Sequence, residues 1–326
     1  MASDIGQRSS EIGLCELHLH LEGSVDPATL RLLDPALTPQ QAEDVYRFTD
    51  FPGFIECFKF IALRLQTPED YALITRRLIE QLSDQGVGYA EVTLSAGVLL
   101  WRGRDLAPYY DAVREAARTG GVEIRWILDA VRQFGPEQAW RVAEFAAGRV
   151  NDGVVAIGIG GDEFRGPATW FGDIYRFARG QGLRLTAHAG ETTGPASIWE
   201  ALEIGAERIG HGIRAVDDPV LLRHLADHQI PLEVCLTSNV CTGAVANMDQ
   251  HPLRRLLDAG VPLTLSTDDP GIFRCTLSSE FQAAAALGIT PTEAGQMVNN
   301  ANRFRFASQI RCMNPDLFSA NSAAPL

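Results

Sequence analysis

The sequence predicts an α/β fold, a (β/α)8 barrel of the TIM type with a helical insertion after the first strand. Three observations predict it. Eight short β-rich segments recur along the 326 residues, each followed by a longer stretch with apolar positions at helical spacing. Several of those segments are near-continuous apolar runs, as strands covered on both faces require. Histidines and acidic residues gather at the C-terminal ends of the strands, where barrels of this class carry their functional groups. A doubly wound sheet is the alternative arrangement of the same alternation.

The strands are expected at residues 14–20, 89–94, 123–128, 154–159, 184–188, 208–210, 231–236 and 262–266. Between them apolar side chains return every three or four residues, as at Tyr71, Ile74, Leu78 and Leu82, or at Leu221, Leu222 and Leu225. The first connection, residues 21–88, is far longer than an ordinary barrel loop. It holds four helical patches, at 27–33, 40–48, 51–65 and 68–83, and is expected to cap the C-terminal mouth. No linker or internal repeat divides the chain. We therefore expect one domain over residues 14–310, a flexible leader at 1–13 and a tail at 311–326.

A formal charge of −13 argues against nucleic acid or an anionic membrane as partner, since both select clustered Lys and Arg. No apolar run is long enough to cross a bilayer, and the polar leader lacks the pattern of a signal peptide. The expected setting is the cytoplasm. The six cysteines, Cys15, Cys57, Cys235, Cys241, Cys275 and Cys312, show no CxxC spacing and read as small buried apolar residues. Oligomeric state leaves no mark in the sequence.

His18 and His20 are two apart on the first strand, which puts both imidazoles on one face. That spacing alone suits a surface pair as well as half a metal site, so the remaining strand ends decide. Strand five ends in His188 with Glu191 three residues on, strand six in Gly210-His211-Gly212, and strand eight in Asp268-Asp269. Four of the seven histidines thus fall at strand ends. His224, His228 and His251 lie in helical or turn segments and are expected to be solvated, without a role. Three imidazoles and a carboxylate suit a catalytic Zn²⁺ with one open position, and His18, His20, His188 and Asp268 form the economical ligand set. Glu191, at a predicted helix start, reads either as a carboxylate favoured by the helix dipole or as a proton shuttle. His211, between two glycines, reads as a structural histidine or as a base that orients water. Asp269 precedes Pro270 and suits a turn, or a division of labour in which Asp268 binds metal and Asp269 faces substrate.

Together, His18-Leu19-His20-Leu21-Glu22-Gly23, Gly161-Asp162-Glu163, His188-Ala189-Gly190-Glu191, Gly210-His211-Gly212, Ser238-Asn239 and Ser266-Thr267-Asp268-Asp269-Pro270 resemble the motifs of the adenosine deaminase family, within the amidohydrolase superfamily. They follow in family order from residue 18 to 270. The resemblance implies hydrolytic deamination of a small-molecule 6-aminopurine to the 6-oxopurine and ammonia. It implies one Zn²⁺ per subunit on His18, His20, His188 and Asp268, with Glu191 and His211 catalytic. Glu191 would protonate N1, while His211 would orient and deprotonate the water that attacks C6. Asp269 would accept a hydrogen bond at the N7 side, and the Gly161 N–H would meet N3. The HxE…PCxxC signature of cytidine-type deaminases does not occur, and residues 154–161 hold no lysine to bridge a second metal.

Two departures bear on the substrate. Glu22 stands where nucleoside-specific members carry Asp on the ribose side, which points to a free base or an altered nucleoside. The ending Gly161-Asp162-Glu163 points the other way, since the adenine branch resembles Asp-Ser-Ser-Glu at this place. Gly158 and Gly160 replace bulkier residues and are expected to enlarge the pocket. This mixed signature fits adenosine, or an adenosine with a larger 5′ substituent such as aminodeoxyfutalosine; adenine is the alternative. Phe54 and Phe58 are candidate substrate contacts, although the cluster Phe51, Phe54, Phe58 and Phe60 also suits a core. Ser238-Asn239 reads as support near the mouth. A non-catalytic zinc-binding scaffold would leave Glu191 and His211 without purpose, and a non-purine amidohydrolase would leave Gly161 and Asp269 without one.

Overall fold

The computed structural model describes residues 13–306. Most of the expected leader and all of the expected tail, Cys312 included, lie outside the described residues. Eight strands follow in order: β1 (Leu14–His20), β2 (Val87–Leu94), β3 (Glu123–Asp129), β4 (Val154–Gly158), β5 (Arg184–Ala189), β6 (Arg208–His211), β7 (Leu232–Val234) and β8 (Leu263–Leu265). Each pairs in parallel with the next, and their order in the sheet is their order in the chain. The sheet closes on itself through a parallel bridge between Leu19 and Asp268. There the His20 N–H donates to the Asp268 carbonyl at 2.8 Å and the Asp268 N–H to the His18 carbonyl at 3.0 Å. Closure excludes the doubly wound alternative.

β7 and β8 are shorter than their apolar runs predict. Past Val234 the chain turns into a one-turn helix, Leu236–Cys241, because the Glu280 carboxylate takes the Leu236 N–H at 2.7 Å and the Thr237 N–H at 3.3 Å. β5 and β6 run one residue further than expected, which pairs Ala189 with His211 at the rim.

The long first connection folds as four helices: α1 (Pro27–Leu33), α2 (Pro39–Val45), α3 (Phe51–Ala62) and α4 (Pro68–Asp84). Each starts from an acceptor side chain with a proline at the first or second helical position, where no intrahelical N–H partner is lost. Asp26 accepts from Thr29 N–H at 2.7 Å and Asp50 from Gly53 N–H at 2.8 Å. Thr38 with Gln41, and Thr67 with Asp70, form reciprocal capping boxes. Each cap contributes about 1 kcal/mol. On α4 the predicted stripe Tyr71, Ile74, Leu78 and Leu82 is buried. A last helix, Pro291–Phe304, packs across the seam: Asn300 Nδ2 donates to the Leu263 carbonyl at 2.9 Å, and Cys15 Sγ to Asn302 Oδ1 at 3.3 Å. Among the described residues no helix is long and apolar enough to cross a membrane, and the five described cysteines are free.

Candidate active site

The C-terminal rim of the barrel brings five of the predicted side chains around one point. His18 and His20 arrive from β1, His188 from β5, His211 from β6, and Asp268 from the turn after β8. Asp268 Oδ1 lies 3.3 Å from both His18 Nε2 and His20 Nε2, and His20 Nε2 lies 3.1 Å from His188 Nε2. Ligand atoms of His18, His188, His211 and Asp268 all fall within 4.8 Å of one another, a set that includes His211 and leaves out the expected His20. What separates His211 is its company. Its Nε2 is 3.7 Å from Glu191 Oε2, and its Nδ1 meets the Asn239 amide at 3.2 Å. His18 Nε2 is buried and makes no hydrogen bond despite the nearby carboxylate. Converging buried imidazole nitrogens beside a carboxylate are a donor set that fits a divalent cation, and one rich in imidazole suits zinc.

The backbone is shaped to deliver these groups. His211 and Asp268 are non-glycine residues with φ of 61° and 63°, a left-handed conformation that costs about 1–3 kcal/mol each. A Cβ at Gly210 would lie 2.6 Å from His18 Cε1, and one at Gly23 only 1.6 Å from Asp269 Oδ1. The glycine of the first motif is thus required by the aspartate of the last.

Further residues hold the ring in place. Glu233 on β7 accepts from His18 Nδ1 at 2.7 Å and from Arg208 Nε at 2.5 Å, while Arg208 reaches Glu91 at 2.6 Å; all three are buried. Ser238 Oγ donates to Asp268 Oδ2 at 2.7 Å, so the supporting part expected of Ser238-Asn239 has a specific form. The Glu163 carboxylate accepts from the N–H groups of Gly190 at 2.8 Å, Glu191 at 3.0 Å and Thr192 at 2.8 Å. Glu191 therefore sits in a loop clamped from β4's side. It does not begin a helix, which starts only at Pro195.

Burial disfavours every charge here, and local partners decide which groups resist. For His18 and His20 the Asp268 carboxylate, joined by Glu233 at His18 and Asp269 at His20, outweighs burial and raises the pKa to about 10 and about 9. For His188, burial and three neighbouring imidazoles outweigh the Asp268 charge and push it well below the usual range. His211 is lowered to about 4, mainly by burial. Asp268 resists burial through its contacts with His18 and His20 and stays ionised. Burial, then the charge of Asp268, raises both Glu191 and Asp269 well above ordinary carboxyls.

The sequence profile of the adenosine deaminase family matches residues 13–312. The chain belongs to the adenosine deaminase family. It is 39% identical to an aminodeoxyfutalosine deaminase of Streptomyces avermitilis, over 83% of this chain and 80% of that protein. It is 35% identical to an adenine deaminase of Rhizobium leguminosarum, over 90% of this chain and 94% of that one. Among solved structures it resembles an amidohydrolase from Burkholderia ambifaria with bound zinc, with a TM-score of 0.83 and 25% identity over 90% of this chain and 86% of that one. As a member of this family the chain is a hydrolytic deaminase of aminopurine compounds, built on a metal-dependent amidohydrolase barrel.

In this deaminase a cavity of about 690 Å³ opens from the histidine cluster towards α3. Gly161, Glu191 and Asp269 line it, together with Phe54, Phe58, Trp101 and Phe134. Phe54 also stacks on Phe273, with ring centroids 5.2 Å apart. Glu22 does not reach the cavity. It is fully buried, with Oε1 accepting from the Ser95 N–H at 3.2 Å and Oε2 from the Ser95 hydroxyl at 3.1 Å, and Ser95 is the residue that lines the wall. Of the two glycines expected to enlarge the pocket, Gly160 lines the cavity and Gly158 does not. A Cβ at Gly160 would lie 3.3 Å from both Asp129 carboxylate oxygens and from His188 Cε1, so Gly160 also leaves room for Asp129, itself buried in the lining, whereas one at Gly158 would meet only ordinary contacts. His251, expected to be solvated, is 6% exposed and bonded through Nε2 to Asn239 Oδ1 at 3.2 Å. Asp129, Glu233 and His251 had no motif to mark them, and Glu163 stood in a motif without a role of its own; for Asp129 and Glu233, acidic residues on apolar strands were the one available signal.

Proposed function

We propose that the chain deaminates a 6-aminopurine nucleoside, either adenosine or an adenosine extended at 5′ such as aminodeoxyfutalosine, using one Zn²⁺ on His18, His20, His188 and Asp268. The observation that carries this reading is the cavity. It gathers imidazoles and two carboxyls whose burial favours the protonated form, and its volume suits a drug-sized ligand rather than a bare purine. When bound, zinc would lower the pKa of a coordinated water to about 7 and so supply the nucleophile.

The chain's own groups then do the following. Glu191, whose burial favours the protonated form, donates to N1 and makes C6 electrophilic. His211 orients the attacking water. A C–O bond forms at C6 and the C–N bond breaks; of the water's two protons one restores Glu191 and the other completes the departing ammonia, leaving the 6-oxopurine. The Gly161 N–H meets N3. At N7 the sequence expectation needs its sign reversed: N7 is itself an acceptor, so Asp269 serves as the donor, a role that the upward shift from burial and Asp268 favours. Phe54 and Phe58 cover the outer part of the ligand, and Glu22 acts through Ser95.

The test is kcat/KM, read by ammonia release, for adenine, adenosine, 5′-modified adenosines and aminodeoxyfutalosine with the zinc-loaded protein. A nucleoside is expected to lead the panel. Adenine leading by tenfold or more, about 1.4 kcal/mol, would replace this reading with the free-base one.

A further inference from the structure

His251 lies just before the helix Leu253–Asp258, where the Leu253 N–H donates to its Nδ1 at 3.1 Å. A ring nitrogen that accepts from a backbone N–H carries no proton, so the proton of neutral His251 is on Nε2. That nitrogen faces Asn239 Oδ1 at 3.2 Å, and the Asn239 Nδ2 faces His211 Nδ1 at 3.2 Å. An amide N–H₂ can only donate, so His211 Nδ1 accepts and the proton of neutral His211 sits on Nε2, on the side of Glu191 and Asp268.

We infer that Leu253 N–H, His251 and Asn239 form a one-way hydrogen-bond chain that fixes the tautomer of His211 with its N–H facing the reacting centre. The direction cannot be reversed piecemeal. Turning the Asn239 amide would set its N–H₂ against His251 Nε2–H, and His251 cannot move that proton to Nδ1 while Leu253 donates there. A backbone N–H, which has no alternative polarity, anchors the whole sequence. All three side chains, 1%, 0% and 6% exposed for His211, Asn239 and His251, are shielded from water that could relay the opposite sense. His211 therefore meets the attacking oxygen as a hydrogen-bond donor, holding it in place, and does not offer a bare nitrogen as its resting state. Asn239 and His251 are positioning residues. The catalytic meaning rests on the deaminase reading above; the tautomer itself does not.

The experiment is ¹⁵N NMR of the imidazoles in the zinc-loaded protein, with His211→Asn used to assign its signals. Wild type is expected to show His211 with a bare Nδ1 and a protonated Nε2. Asn239→Asp presents only acceptors and is expected to move the proton to Nδ1. It should lower kcat by about 10²-fold or more with KM little changed, as a wrong tautomer does elsewhere. His251→Gln, whose amide still donates to Asn239, should keep the wild-type pattern, whereas His251→Leu should lose it. A protonated Nδ1 in wild type, or an unchanged His211 pattern in folded Asn239→Asp, overturns the inference. If no aminopurine is turned over, the substrate reading fails while the NMR arm still decides the tautomer.

Discussion

Replacing Glu233 by Gln tests how the buried frame around His18 controls the metal. The carboxylate accepts from two donors at once, His18 Nδ1 at 2.7 Å and Arg208 Nε at 2.5 Å. A glutamine offers one oxygen and one N–H₂ in the same space. Arg208 cannot give up its proton, so it claims the oxygen, and the N–H₂ turns to His18. His18 must then accept at Nδ1, which places its proton on Nε2, in the metal position. Outer partners of histidine ligands contribute about 10–100-fold to metal affinity, or about 1.4–2.7 kcal/mol, and this forced tautomer argues for the upper half of that range. Competition with a chelator of known zinc affinity measures the loss, and circular dichroism confirms the fold. A folded Glu233→Gln protein that binds zinc within twofold of wild type would refute the reasoning.

Other outcomes follow from the same site. Glu191→Gln should retain zinc yet lose about 10²–10⁴-fold in kcat, as expected for a missing general acid, whereas His18→Ala should lose the metal; elemental analysis beside an ammonia assay separates the two. Because His18 and His20 are held protonated up to about pH 10 and about 9, metal uptake near neutrality must expel up to two protons. Apparent affinity should therefore rise with pH, by up to a hundredfold per unit, and level off above about pH 10; calorimetry in buffers of different ionisation enthalpy counts the protons. A pH-independent affinity would show that these histidines are already neutral. For Glu163, burial favours the neutral form, but hydrogen bonds from Ser197, Thr192 and Thr193 prevail and lower the pKa to about 2 from 4.5. A depressed carboxyl stabilises the fold above its unfolded pKa and loses that effect as pH falls through the folded value. About 3 kcal/mol should thus vanish between about pH 4.5 and 2 in wild type and be missing at neutral pH in Glu163→Gln, as read by chemical denaturation.

Much of this architecture is written in local pattern. The eight strands and the four helices of the first connection announce themselves through apolar runs and through Asp or Thr placed before proline, signals that each span a few residues. The cluster at the mouth was legible because barrels send strand ends to one face, so His18, His188, His211 and Asp268 could be gathered by strand position alone. What stayed hidden depends on pairs far apart in the chain. Glu233 serves His18 from 215 residues away, and Asp129 occupies space left by Gly160 just past the neighbouring strand. His251 looked solvated because it lies in a turn; that turn folds over β6, and nothing in its own neighbours says so. Glu191 looked like a helix start because a helix does follow, yet the Glu163 carboxylate holds the intervening loop open.

The seam between β8 and β1 has a consequence for how the molecule breathes. Two proposed ligands lie on the first strand and one just past the last, at the place where the His20 N–H donates to Asp268 and the Asp268 N–H to His18 across the closure. An ion held there would act as a latch, since parting the barrel's two ends would tear apart its coordination shell. Metal loss and opening of the cylinder then become one event seen from two sides, and the amide protons of His20 and Asp268 should exchange with solvent faster once zinc is stripped, while those buried between β3 and β4 keep their pace.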